Sequence, residues 1–239
     1  MVFKLLEAQR AMAALGANPD DTEQAIRAIT AMSGGSQNRC LRRLKGLPTG
    51  AQLLRSRPEL YDRLSNMDYL GSLPEGTLGK EIWHFYTTEE LSAQGLKAAS
   101  EAAGEVNRIS SPNSGNTRIS EIDWLGRRLR DLHDVFHVLT GYGRDMRGEI
   151  ACLAFTFAQT WNTGVGYVVL RAMRNNGWNS EMGVLIRQAF RRGRRSSWLV
   201  DKNWEVLLEQ PLNELRDRLR IGPQPVYEPL RSPGAPVLK

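Results

Sequence analysis

Between Ser120 and Thr140 the residues Ile122, Leu125, Leu129, Leu132, Phe136 and Leu139 recur at intervals of three and four. That is the apolar stripe of an α-helix about five turns long. Ser120 with Asp123 makes an approximate capping box at its start, and Thr140-Gly141-Tyr142-Gly143 stops it. A second helix is expected from near Arg147, with Ile150, Leu153, Ala154, Phe157 and Trp161 on one face. Two helices joined by so short a bend run back along each other, so their facing side chains meet.

The rest of the chain reads as helix too. Asp20 or Asp21 caps a helix through Ala25, Ile26, Ile29 and Met32, ended by Gly34-Gly35. Leu41 to Leu54 is expected to be broken by Pro48 and Gly50. A short helix follows Pro58, and Tyr69-Leu70-Gly71-Ser72-Leu73-Pro74 reads as a turn-rich joint. Helical pattern resumes over 80–86 and 89–106, and RISSPNSGNT, residues 108–117, is a loop. Further helices are expected over 165–173, 181–190, 198–208 and 212–219. Strand signals do not recur. The expectation is an all-α, single-domain, bundle-like fold over 1–239, with an amphipathic helix in 1–18 and an irregular tail in 222–239 that holds five prolines.

Composition narrows the class. The 239 residues are 41% hydrophobic and 24% charged, as in globular domains. The longest apolar stretch, roughly 150–158, is far short of the ~20 residues that span a bilayer. Glu7 and Arg10 interrupt any signal-peptide core at the start, and that segment is poor in the Ser and Arg of a transit peptide. Two cysteines, Cys40 and Cys152, are too few for a disulfide framework or a Cys-rich zinc site. The net charge is +6, and arginine supplies all but six of the 32 basic residues. Guanidinium groups suit phosphates, carboxylates and lipid headgroups. No nucleic-acid motif accompanies the charge, so nucleic acid is not an expected partner. The run Phe190-Arg191-Arg192-Gly193-Arg194-Arg195, followed by Trp198, mixes arginines with aromatics and suits an anionic membrane surface, or simply a solvated helix end.

Two of the three histidines, His133 and His137, stand one turn apart in the string HDVFH. They lie about 40° apart around the helix, just off the edge of the leucine stripe, with Asp134 about 60° beyond His137. Glu149 falls in the first turn of the next helix. Two imidazoles and a carboxylate from antiparallel helices can meet around one divalent cation. Other readings are open: Glu149 offsets a helix dipole, and Asp134 pairs with Arg130 one turn back. Arg130 projects between the directions of His137 and Asp134, and Arg127 points close to Asp134. Both are candidates for holding a substrate carboxylate or phosphate, against the alternative that they are solvated or paired with acids.

The segment HDVFHVLTGYGRDMRGE, with its His-Asp-x-x-His, eleven residues, Glu pattern, resembles a family of ubiquinone (coenzyme Q) biosynthesis proteins. The likeness extends upstream to RPELYDRLSNMDYLGSLPEGTLG and downstream to NWEVLLEQPLNELRDRLRIGPQP, covering roughly 20–228. The resemblance implies an all-α fold, one divalent metal ion at His133, Asp134, His137 and Glu149, and loose attachment to a membrane. It also implies decarboxylation and hydroxylation at one ring carbon of a polyprenylated hydroxybenzoate, with molecular oxygen as co-substrate. The alternative it implies is a non-catalytic, lipid-binding organiser of the other ubiquinone biosynthesis enzymes. With no presequence evident, a bacterial protein at the cytoplasmic membrane face is expected, or a processed mitochondrial chain on the matrix side.

Two His and a carboxylate suit zinc as well as non-haem iron. His133, His137 and Glu149 are the expected ligands, and Asp134 a ligand, an orienter of a ligating imidazole or a base. An isoprenoid tail calls for an apolar groove, for which Phe155, Phe157, Val165, Tyr167, Val168, Val169, Leu170 and Met173 are candidates, most of them as ordinary core. A metal-dependent phosphohydrolase is the rival enzyme. It would need a further His and a distant Asp, leaving His84, expected as a packed core histidine, with Asp145 or Asp201. Phe3, Leu5, Leu6 and Met12 form a stripe that suits either a homodimer or core packing.

Overall fold

Local capping chemistry sets most helix starts. In a computed structural model describing residues 3–18, 21–103 and 120–231, the helices are α1 (Leu5–Ala17), α2 (Thr22–Met32), α3 (Ser36–Lys45), α4 (Pro48–Ser56), α5 (Leu60–Leu64), α6 (Met67–Ser72), α7 (Leu78–Thr88), α8 (Ala93–Ala102), α9 (Glu121–Thr140), α10 (Met146–Thr160), α11 (Thr163–Asn176), α12 (Glu181–Arg195), α13 (Trp204–Leu207) and α14 (Leu212–Arg218). Among the described residues there is no β-strand, and the fold is all-α. Side chains of Asp21, Ser120, Asp145, Asn162 and Ser180 each accept a backbone N–H in the first turn of α2, α9, α10, α11 and α12.

Three expectations need correction. Residues 69–74 are not a turn-rich joint: Asn66 caps α6, and Tyr69 to Ser72 lie inside it. Gly50 is no breaker but sits within α4, where a Cβ would fall 2.1 Å from the Leu44 carbonyl oxygen. The glycine lets α4 pass close to the end of α3, while Pro48 occupies the first turn, where its missing N–H costs nothing. Only 204–207 of the expected helix over 198–208 is helical. The expected loop at 108–117 lies outside the described residues.

The 20-residue helix α9 runs through the centre, packed against α3, α5, α7, α8, α10 and α14. Leu132, Val135, Phe136 and Leu139 enter the main core, whereas Trp124 and Leu125 enter a smaller cluster with Cys40, Leu44, Leu53, Leu54 and Val200. Its C-terminus is held firmly. Gly141 takes the left-handed conformation at φ 77° and donates its N–H to the His137 carbonyl at 2.8 Å. Arg216 donates to the carbonyls of Val138 and Leu139, both at 3.0 Å, and Arg192 to that of Thr140 at 3.1 Å. Cations there complement the helix dipole.

The tail after Gly222 is irregular as far as it is described, yet it straps the α9–α10 bend. The Tyr227 hydroxyl accepts from the Gly143 N–H at 2.9 Å and donates to Asp145 Oδ2 at 2.8 Å. The backbones of Met146 and Leu230 join at 2.8 Å. A bend pinned at both ends fixes how α10 faces α9.

Candidate metal centre

Because α9 is pinned, His137 has little choice of orientation. It is buried, and Phe85 from α7 stacks on its ring at 5.6 Å between centroids. Its Nδ1 lies 2.9 Å from the Tyr142 carbonyl oxygen. A carbonyl only accepts, so Nδ1 carries the proton and donates, and Nε2 is the lone-pair nitrogen of the neutral ring. His133, one turn earlier, meets it edge-on with ring centroids 4.6 Å apart, and the two Nε2 atoms are 3.2 Å apart.

From the first turn of α10, Glu149 reaches both rings. Its Oε1 is 3.4 Å from His133 Nε2 and its Oε2 is 2.6 Å from His137 Nε2. Shielded from solvent, Oε2 nevertheless makes no well-angled hydrogen bond. Lone pairs of two imidazoles and a carboxylate therefore point at one place, which is stable only with positive charge among them. A proton meets that need in part, and a divalent ion meets it fully. The donor set fits such an ion.

The electrostatics follow. Burial disfavours a charged His133, but the Glu149 carboxylate and hydrogen bonds with Cys152 and Glu149 hold its pKa at about 10. His137 is likewise raised against the effect of burial, by Cys152 and Glu149. Burial alone would raise Glu149, yet the two imidazoles hold it well below the usual carboxylate range.

Cys152 belongs to this cluster. It is fully buried, and its Sγ and the ligand nitrogens of both histidines lie within 4.8 Å of one another. Burial pushes the thiol up, but His137 and His133 bring it down to about 7. Sequence reasoning set Cys152 aside because two cysteines build no Cys-rich site. The signal that would have found it is its position three residues after Glu149, on the same face of α10.

Asp134 is not among the converging atoms. Its Oδ2 accepts from the Tyr86 hydroxyl at 2.9 Å, and its pKa is raised by burial, with the histidines working the other way. Arg127 pairs with Glu59, and Arg130 Nη2 lies 2.6 Å from Oδ1 of Asp131, so acid pairing is what both guanidiniums show.

Both arginines also line a cavity of about 740 Å³ bounded by parts of α1, α2, α9, α10 and α11. His133 and Glu149 stand in its wall among Met12, Ile26, Ile29, Leu129, Leu153 and Val168. Most of the apolar candidates are core, as expected, and Leu170 alone is exposed. Val165 and Val168 line the cavity, whereas Phe155 is core and Leu170 is 68% exposed. Further wall comes from α1 and α2, whose approach is a long-range event. His84 is corrected: it is not core, its side chain is 44% exposed, and it bonds Glu75 at 3.0 Å. Asp145 and Asp201 are engaged at the α10 cap and with Thr49.

Taken together, these features define an all-helical protein built around a His–His–Glu cluster on a helix–turn–helix, beside an apolar cavity. Residues 4–100 and 117–225 match the family described as Coenzyme Q (ubiquinone) biosynthesis protein Coq4, and the chain belongs to that family. It is 30% identical over 193 residues to the ubiquinone biosynthesis protein COQ4 homolog, mitochondrial, of Mus musculus, covering 77% of this chain and 65% of that protein. It is 29% identical to the ubiquinone biosynthesis protein coq-4, mitochondrial, of Neurospora crassa, over 77% of this chain and 49% of that protein. The chain thus spans less than two thirds of the length of these curated relatives. A crystal structure of a protein from Nostoc punctiforme shares the fold, with a TM-score of 0.64 at 22% identity over 92% of this chain and 98% of that one. Among the described residues no helix is long and apolar enough to cross a membrane.

Proposed function

We propose that this chain serves ubiquinone biosynthesis as a metal-dependent oxidative decarboxylase of a polyprenylated hydroxybenzoate. The reaction breaks the ring–carboxylate bond, releasing carbon dioxide, and forms a hydroxyl on the same carbon, a two-electron oxidation in which molecular oxygen accepts the electrons. One observation carries the reading: His133 Nε2, His137 Nε2 and Glu149 converge at the wall of a large, mainly apolar cavity. A polyprenylated aromatic needs apolar enclosure for its tail and a few placed polar groups for its head, and this cavity offers both.

His133, His137 and Glu149 would hold the divalent ion, zinc or iron-like, and the ion would supply Lewis-acid polarisation there. The Tyr142 carbonyl keeps His137 in the tautomer that presents Nε2. Arg130 lines the same cavity and would receive the substrate carboxylate there, exchanging its contact with Asp131 for it. Arg127, paired with Glu59, also lines the cavity and would add to its attraction for anions. Asp134, held by Tyr86, is assigned as an orienting group or base.

The chain would work at an anionic membrane face, alongside other ubiquinone biosynthesis enzymes. Trp161 and Trp178 are 43% and 62% exposed, with Arg194 and Arg187 over their rings at 5.3 and 4.7 Å. Phe3, Leu5 and Leu6 are exposed and available to a homodimer. The test supplies purified protein with prenylated hydroxybenzoate, oxygen and one metal at a time. Metal-dependent release of carbon dioxide with a hydroxylated ring is expected. Full turnover in metal-stripped protein would sink the reading. Site variants that lose only partner association would favour the organiser role, and phosphate release from nucleotides the hydrolase.

A further inference from the structure

We propose that Cys152 is a further protein ligand of this centre, its thiolate joining His133, His137 and Glu149 on one ion and selecting zinc over magnesium, manganese or calcium. The inference rests on the reading that the cluster binds metal.

Three observations carry it. The Cys152 Sγ and the ligand nitrogens of His133 and His137 all lie within 4.8 Å of one another. Zinc bonds of about 2.3 Å to sulfur and about 2.0 Å to nitrogen set those atoms about 3.5 Å apart in a tetrahedral centre, so these three need to draw inward by no more than about 1.3 Å to share an ion. Cys152 and Glu149 share one face of α10, so a single rigid element presents both. Finally, His133 and Glu149 line the cavity but Cys152 does not, and Cys152 is 0% exposed. The sulfur therefore lies on the side of the cluster away from the cavity, and a substrate atom entering from the cavity would make the ion five-coordinate. Thiolate donors favour soft and borderline metals, whereas magnesium and calcium keep to oxygen.

The chain has two cysteines, and Cys40 is buried in the separate cluster around Trp124. A thiolate signal is therefore assignable. The full-length chain, stripped of metal and loaded with cobalt(II), should show near-ultraviolet sulfur-to-cobalt charge-transfer absorption. That absorption should survive Cys40→Ser and vanish in Cys152→Val. Zinc affinity should fall at least ~10-fold in Cys152→Val, more than loss of a mere neighbour would cost.

Stoichiometric cobalt without that absorption overturns the proposal and leaves a three-ligand centre standing. So does zinc affinity in Cys152→Val within about twofold of the native chain. Should Cys152→Val fail to fold, the native cobalt spectrum decides by itself. Failure of cobalt and zinc to bind at all overturns this proposal and the metal reading beneath it together.

Discussion

The two halves of α9 use buried charge in opposite ways. In the N-terminal half, Arg128 has a side chain only 1% exposed, and both of its terminal guanidinium nitrogens end on protein acceptors. It forks onto Glu205 at 2.6 and 3.0 Å, donates to the Lys202 carbonyl at 3.0 Å, and covers the Trp124 ring. In the C-terminal half, His133 and His137 turn their Nε2 atoms towards each other and towards a carboxylate oxygen that lacks a hydrogen bond. Each half sets basic side chains of α9 against a carboxylate from another helix. What differs is what faces what: the terminal donors of Arg128 meet acceptors, whereas around Glu149 ring nitrogens and carboxylate oxygens crowd together. Donors that meet acceptors make scaffold; converging lone pairs are what the proposed cation would satisfy.

The largest effect should come from breaking the scaffold half. Arg128→Met strands Glu205, 12% exposed, without its guanidinium. Such a loss costs about 3–5 kcal/mol, to be read by chemical denaturation, while zinc titration of the folded protein stays unchanged. A loss below about 1 kcal/mol would erase the contrast between the halves. Next, Glu149→Gln should weaken zinc binding by at least ~100-fold in calorimetry, above the usual cost of losing an orienting partner. Arg130→Met should weaken binding of a prenylated hydroxybenzoate by about 10-fold, the effect of one charge-assisted hydrogen bond, and leave metal content intact. Loss of metal in that variant would instead place Arg130 in the scaffold.

The smallest effect is on pH. His133 has a folded pKa of about 10 against an ordinary value of 6.5. Its pairing with Glu149 thus stabilises the metal-free fold fully below about pH 6.5 and is lost as pH rises through 10. Glu149 acts oppositely: its contribution is present above its ordinary value of 4.5 and is lost as pH falls through its depressed folded value. Melting temperatures in chelator should therefore decline from pH 7 to 10. Zinc-loaded protein, whose imidazoles are already neutral, should decline less, and Glu149→Gln should flatten the metal-free slope.

Much of this is legible in the sequence. The α9 stripe, the Ser120 cap, the Gly141 stop and the pairing of His133 and His137 are all relations within four residues. The misreadings have a common cause. Tyr69 to Ser72 and Gly50 carry turn-like residues that tertiary packing made helical, and α4 tolerates its glycine because Leu44 leaves no room for a Cβ. His84 among aromatics looked like core, yet α7 turns it outward to Glu75, while Phe85 and Tyr86 face the site.

By itself the sequence determined the all-α class, the helix–turn–helix and the spacing that lets two imidazoles share a face. Those depend on backbone periodicity and on caps formed by near neighbours. The tertiary structure alone decided that Glu149 reaches both rings, that the Tyr142 carbonyl sets the His137 tautomer, that Tyr86 holds Asp134, and that α1 and α2 wall the cavity. Each of these joins groups whose relative position comes from packing and from the bend, where no period in the chain records the distance.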